Sequence, residues 1–243
     1  MKAILNNKSS VMSFTVVCAV IITLCAVSLY YMQYDILATC WIYVFIYTIL
    51  FLSTLSITFI LKKQKEKYLL SIGLVVYNFT NLIGSIIFAL TSTNYFIIIS
   101  AAAIAFFAVF SLSYTDLLAT KKTLNSSILY NVIIPCVFII PSIISFTIKS
   151  QTNNMLTIIY FETVILFSVS IILSTLNIIK QKHSCFSRTY FLFSIGVFLY
   201  NLLNMLGISN MQNLLHGYIC LMNAFLVPAI LSEHTEIKAK RKK

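Results

Sequence analysis

The feature that leaves this chain fewest options is a succession of eight apolar runs, roughly 11–31, 36–61, 68–90, 95–114, 126–148, 155–179, 190–207 and 211–231, with little between them. About 20 apolar residues take a helix across the hydrocarbon core of a bilayer. No water is available there, so every backbone N–H and C=O must be satisfied within the segment, which leaves the helix as the economical form. Only 9% of the residues are charged, against about 25% in soluble domains. The expected fold is therefore all-α: a polytopic transmembrane helix bundle of eight spans, forming a single integral membrane domain. Residues 1–10 resemble the n-region of a signal peptide, but the apolar stretch that follows is too long and no small-residue cleavage motif closes it. It is expected to stay as the first span.

A formal net charge of +11 invites a nucleic-acid reading, and the placement of the bases argues against it. With eight spans, every Lys and Arg except Lys149 falls in the N-terminal tail, the second, fourth and sixth loops, or the C-terminal tail. These segments lie on one side of the membrane, and the bias is the one cytoplasmic loops carry. Both termini are expected in the cytoplasm, with the chain in the cell membrane. The basic ending "KAKRKK" anchors this topology and can also touch anionic headgroups of membrane lipids. Cys18, Cys25, Cys40, Cys136 and Cys220 lie in spans and Cys185 in a cytoplasmic loop, a distribution suited to small apolar fillers and not to a disulfide framework.

Within this apolar sequence, "SIGLVVYNFTNLIG" at 71–84 and "SIGVFLYNLLNMLG" at 194–207 share the pattern SIGxxxYNxxNxxG, and four of the chain's five glycines are spent in it. Glycine weakens a helix interior and needs a structural reason there. A second echo, Ser53-Thr54-Leu55 and Ser174-Thr175-Leu176, ends the second and sixth runs. The two landmarks predict tandem four-helix repeats, 1–125 and 126–243. Four is an even number of spans, so the halves enter the membrane in the same sense, as parallel repeats about the membrane normal.

At 100° per residue, Gly73, Tyr77, Thr80 and Gly84 share a stripe edged by Asn81, with Asn78 further round. The second copy gives Gly196, Tyr200, Leu203 and Gly207, edged by Asn204, with Asn201 further round. Small residues let membrane helices approach closely, and asparagines hydrogen-bond across them. One reading is packing glue. The other is a polar site between the halves, lined by Tyr77, Asn78, Asn81, Tyr200, Asn201 and Asn204. Glu162, about two turns inside the sixth run, joins the candidate ligand-binding residues because an ionisable group at membrane depth is costly to keep. His216 and Lys149 are its candidate partners. Tyr30, Tyr31, Tyr34, Trp41 and Tyr43 suit an outer aromatic belt. Pro135, Pro141 and Pro228 interrupt spans, each freeing a carbonyl that neighbours must satisfy. His183, His216 and His234 are dispersed and no CxxC occurs, so no metal site or cofactor is expected.

At the glycine stripe the chain resembles the lysoplasmalogenase (YhhN-like) family, eight-span membrane proteins whose third and seventh spans each carry a glycine followed eight residues later by an aspartate. Gly73 with position 81 and Gly196 with position 204 have that layout, with Asn81 and Asn204 in place of the acids. The resemblance implies a lipid-facing cavity and, in active members, hydrolysis of a vinyl-ether bond in lysophospholipids. An amide cannot serve as general acid or base in such a step. Three classes follow. The first is a protein that binds or transports a small amphipathic or lipid-like molecule between the repeats. The second is a lipid hydrolase, and the third a membrane sensor or scaffold.

Overall fold

The computed structural model describes residues 36–91, 107–108, 110–111, 114–115, 152–180, 185–208 and 211–241. The expected spans at 11–31 and 126–148, most of that at 95–114, the boundary between the repeats, and Tyr30, Tyr31, Tyr34, Pro135, Pro141 and Lys149 lie outside the described residues. Among the described residues the structure is entirely helical: α1 (Ile36–Leu61), α2 (Lys65–Thr91), α3 (Thr152–Lys180), α4 (Cys185–Met205) and α5 (Gln212–Arg241). Each contains a stretch long and apolar enough to cross a membrane: Ala38–Leu61, Lys65–Thr91, Tyr160–Ile179, Cys185–Met205 and Gln212–Leu231.

Many of the hydroxyls in these helices disturb them little, because they reach back one turn to their own backbone. Thr48 donates to Val44 O, Ser53 to Ile49 O, Thr58 to Thr54 O and Ser174 to Ser170 O, at 2.6–2.8 Å. This pattern satisfies a hydroxyl inside an apolar medium without a partner helix. Antiparallel hairpins follow from the short connections. Between α1 and α2, Gln64 N–H donates to Leu61 O and Gln64 O accepts from Tyr68 N–H, so one residue closes one helix and opens the next. α1 packs on α2, α3 on α4, α4 on α5, and α1 also touches α5.

The surface is inverted relative to a soluble protein. Trp41, Phe45, Leu52, Phe59, Leu90, Phe161, Ile172 and Ile179 are exposed, while Asn78, Asn81, Thr163, Ser170, Asn177 and Asn223 are fully buried. Apolar patches of that extent on a monomer mark a surface that does not meet water. The interior holds a ladder of rings. Tyr77 of α2 stacks on Phe107 at 5.6 Å, Phe107 meets Phe193 of α4 edge-on at 5.6 Å, and Phe167 of α3 lies 6.1 Å from Phe193. Such offset and edge-on pairs contribute beyond their burial.

Two of the patterned glycines accept an aromatic ring from a neighbouring helix. A Cβ on Gly73 would lie 2.9 Å from Phe110, and one on Gly196 would lie 2.6 Å from the Tyr218 ring. Tyr218 then donates its hydroxyl to Leu192 O at 3.1 Å, one turn along α4. The third position of the pattern behaves differently in the two copies. Gly84 is buried within α2, but Gly207 stands beyond the end of α4 with φ +72°. There Gly207 N–H donates to Asn204 O and Ile208 N–H to Leu203 O, the two bonds of a Schellman cap. The expectation that Gly207 belongs to a packing stripe is therefore corrected; it terminates a helix. The Ser-Thr-Leu echoes also face differently, since Thr54 is buried in the first and Ser174 in the second.

Lys67 departs from its expected place among the loop bases. Lys62, Lys63 and Lys65 are exposed, but Lys67 is 6% exposed and donates from Nζ to Ile230 O of α5 at 3.0 Å. Two residues upstream of Ile230, Pro228 removes one backbone donor from α5.

Filling the space at Gly196 should be costly. Gly196→Leu is expected to destabilise the protein by about 1–3 kcal/mol, the usual cost of overpacking. A fall in the unfolding midpoint in detergent, larger than that of Leu199→Ala on the exposed face of the same helix, is the measurement that checks it.

Candidate functional site

Helix α5 is the most enclosed of the five, with 56% of its best apolar window buried against 33–44% for the others. Its residues 216, 223 and 230 are spaced by seven, so they share a face and succeed one another at about 10 Å intervals. Each makes a hydrogen bond to the α1–α2 hairpin. Tyr47 Oη and His216 Nε2 share one at 2.7 Å, Asn223 Nδ2 donates to Asn78 Oδ1 at 2.7 Å, and the Lys67 ammonium caps Ile230 O. The three rungs place the start of α1 beside the start of α5, and the start of α2 beside the apolar end of α5.

The first rung is set in an aromatic box. The imidazole of His216, 7% exposed, lies 4.3 Å from the ring of Tyr43, 5.9 Å from Tyr47 and 5.7 Å from Tyr200, centroid to centroid. Cys220, one turn along α5, is fully buried beneath it. The hydroxyl of Tyr43 is buried and has no hydrogen-bond partner. Tyr43 was expected in an outer belt; the structure turns it inward because it shares a face of α1 with Tyr47 and meets His216 there. Trp41, two residues away, is 50% exposed and suits that belt.

The middle rung is incomplete. Asn78 and Asn223 are both 0% exposed, yet after their mutual bond Asn78 Nδ2 and Asn223 Oδ1 remain without partners. Buried amide atoms are nearly always satisfied, and each one left alone costs about 1–3 kcal/mol. One buried amide donor and one buried amide acceptor, near the middle of α2 and of the apolar stretch of α5, are therefore left without a protein partner.

The residues singled out from the sequence are only partly brought together. Tyr77, 1% exposed, belongs to the aromatic ladder and also lies beside the Tyr47 hydroxyl. Asn78 joins the middle rung and Tyr200 the box. Asn81 and Asn204 occupy matching positions of the repeated pattern and make the same local bond, from Nδ2 to the carbonyl of the preceding tyrosine, Tyr77 or Tyr200. Asn204 also accepts from Gln212 Nε2 at 2.7 Å, which ties α4 to the start of α5. Asn201 donates to Val197 O within its own helix. Glu162 is half-buried on α3. From the sequence alone Tyr47 and Asn223 are not singled out, and His216 enters only as a partner for Glu162. The signal for His216 and Asn223 was present in "HGYICLMN", where two polar side chains seven residues apart on an otherwise apolar helix must share a face.

The fold and this buried polar seam define a helical, multi-pass membrane protein by class. Compared with protein-family models, with curated proteins and with solved structures, the chain matches none.

The middle rung yields a double-mutant cycle. Asn223→Leu alone strands the Asn78 amide and should cost about 1–3 kcal/mol. Adding Asn78→Leu should recover part of that loss, because two apolar groups replace two polar ones. Equilibrium unfolding in mixed micelles reads both values, and a coupling near the membrane average of about 0.6 kcal/mol is expected. Tyr47→Phe, which removes one side of the first rung, should lower stability by a similar amount in the same assay.

Proposed function

We propose that this integral membrane protein binds, or carries across the bilayer, a small amphipathic or lipid-like molecule at a polar site between two four-helix halves. The observation that carries the reading is the unfinished Asn78–Asn223 pair beneath the His216 box. Of the five buried polar atoms without a hydrogen-bond partner among the described residues, three, the two amide atoms and the Tyr43 hydroxyl, belong to this seam; Asn177 Oδ1 and Ser194 Oγ are the others. Tyr77, Asn78 and Tyr200 line the site together with Tyr43, Tyr47, His216 and Asn223; Asn81, Asn201 and Asn204 support the helices that present them. Glu162 is placed toward the same end of the bundle as His216.

The wider architecture of the proposal is eight spans in two tandem repeats, 1–125 and 126–243, with both termini cytoplasmic in the cell membrane. Support comes from the shared local chemistry of α2 and α4: an aromatic ring against the first glycine and the same asparagine back-bond in each. The orientation rests on the bases. The exposed Lys62, Lys63 and Lys65 and Arg188 sit at the end of the bundle where α1 finishes and α2 and α4 begin, as positive-inside sorting requires. The resemblance to lysoplasmalogenases bears on ligand class, a molecule of lysolipid size. Asn81 and Asn204, bonded to their own helices, favour binding over hydrolysis.

Purification in mild detergent followed by mass spectrometry of the extracted lipid fraction tests the reading. A single-chain amphiphile is expected at about one per chain in the native protein and should be lost from Asn78→Leu/Asn223→Leu; identical lipid content in the two would refute it. Topology has its own check. Cys185 is free and exposed, so a membrane-impermeant thiol reagent should label it in inverted vesicles and not in right-side-out ones, with Cys185→Ser as the control.

A further inference from the structure

We infer that the Asn78–Asn223 rung takes the uncharged head of its amphiphile, specifically a hydroxyl or primary amide. This inference deepens the binding reading above and depends on it. Two amide atoms of the rung have no protein partner, the donor Asn78 Nδ2 and the acceptor Asn223 Oδ1. Turning both amides over exchanges their roles and leaves the same pair of unmet needs, so the chemistry required of a guest does not depend on how either amide is oriented. A group that completes the rung must accept and donate at once. Hydroxyls and primary amides do both; ethers and esters only accept.

Charge is disfavoured at this depth. The nearest charged side chain along α2 is Lys67, eleven residues from Asn78 or about 16 Å of helix rise, and its ammonium already donates to Ile230 O. Within nine residues of Asn78 on α2 and of Asn223 on α5 there is no Asp, Glu, Lys or Arg, so a carboxylate or ammonium head would find no counter-charge on either helix. The lipid-facing side of α2, with Val76, Phe79 and Ile83 exposed, lies about 100–160° round the helix from Asn78, so the amide faces the interior of the bundle.

The test uses the full chain in lipid nanodiscs and three labelled probes of equal tail length: hexadecanol, palmitamide and hexadecyl methyl ether. Hexadecanol and palmitamide should be retained about tenfold more tightly than the ether, the factor that one net hydrogen bond supplies. The preference should vanish in Asn78→Leu/Asn223→Leu. Equal retention of all three by the native protein overturns the inference while leaving a binding site in place; it is also the result expected if water alone fills the rung. Retention of none of them overturns the binding reading itself. The comparison among probes on native protein needs no variant, so a folding defect in the double substitution cannot decide the outcome.

Discussion

The register between the α1–α2 hairpin and the last helix is held along one face of α5. Three hydrogen bonds, at His216, Asn223 and the Ile230 carbonyl, fix that helix to the α1–α2 hairpin at successive heptads. In a bilayer the apolar surfaces of helices gain nothing by leaving lipid for one another. Directional contacts and close packing must supply the register. The rungs do so at three depths, and a slip of one residue would break all of them together.

Close packing supplies the rest. Gly73 and Gly196 let Phe110 and Tyr218 lie against bare backbone, and the rings of Tyr77, Phe107, Phe193 and Phe167 bridge α2 to α3 and α4. Hydroxyls bonded one turn back keep the remaining polarity within each helix. Among the described residues Tyr43 Oη, Asn177 Oδ1, Ser194 Oγ, Asn78 Nδ2 and Asn223 Oδ1 are buried without a hydrogen-bond partner; the last two lie where α2 and α5 meet.

The helices were legible because length and apolarity decide them locally. The 36–61 run coincides with α1, and α2 begins three residues ahead of its run because Gln64 caps the turn. Ends were less legible. Gly207, read as a packing position, is a cap with positive φ, a distinction that depends on whether the chain continues helical and not on the residue itself. The site was half legible. Asn78, Tyr77 and Tyr200 were found through the repeated pattern, but that pattern equally marked Asn81, Asn201 and Asn204, whose amides each donate to a carbonyl of their own helix. Asn223 and Tyr47 have no copy in the pattern. Lys67 looked like a loop base because nothing in its neighbourhood reveals that Ile230 lies above it.

The sequence by itself determined that this chain forms apolar helices, since backbone satisfaction in hydrocarbon is a demand each segment meets alone. It also determined which residues are too polar to face lipid. Which of those polar groups meet, and which are left open, was decided only by tertiary structure. An amide at a given position reaches its own backbone or a neighbour according to the rotation and depth of the opposing helix. Those are set by contacts among residues more than a hundred positions apart, as between Asn78 and Asn223.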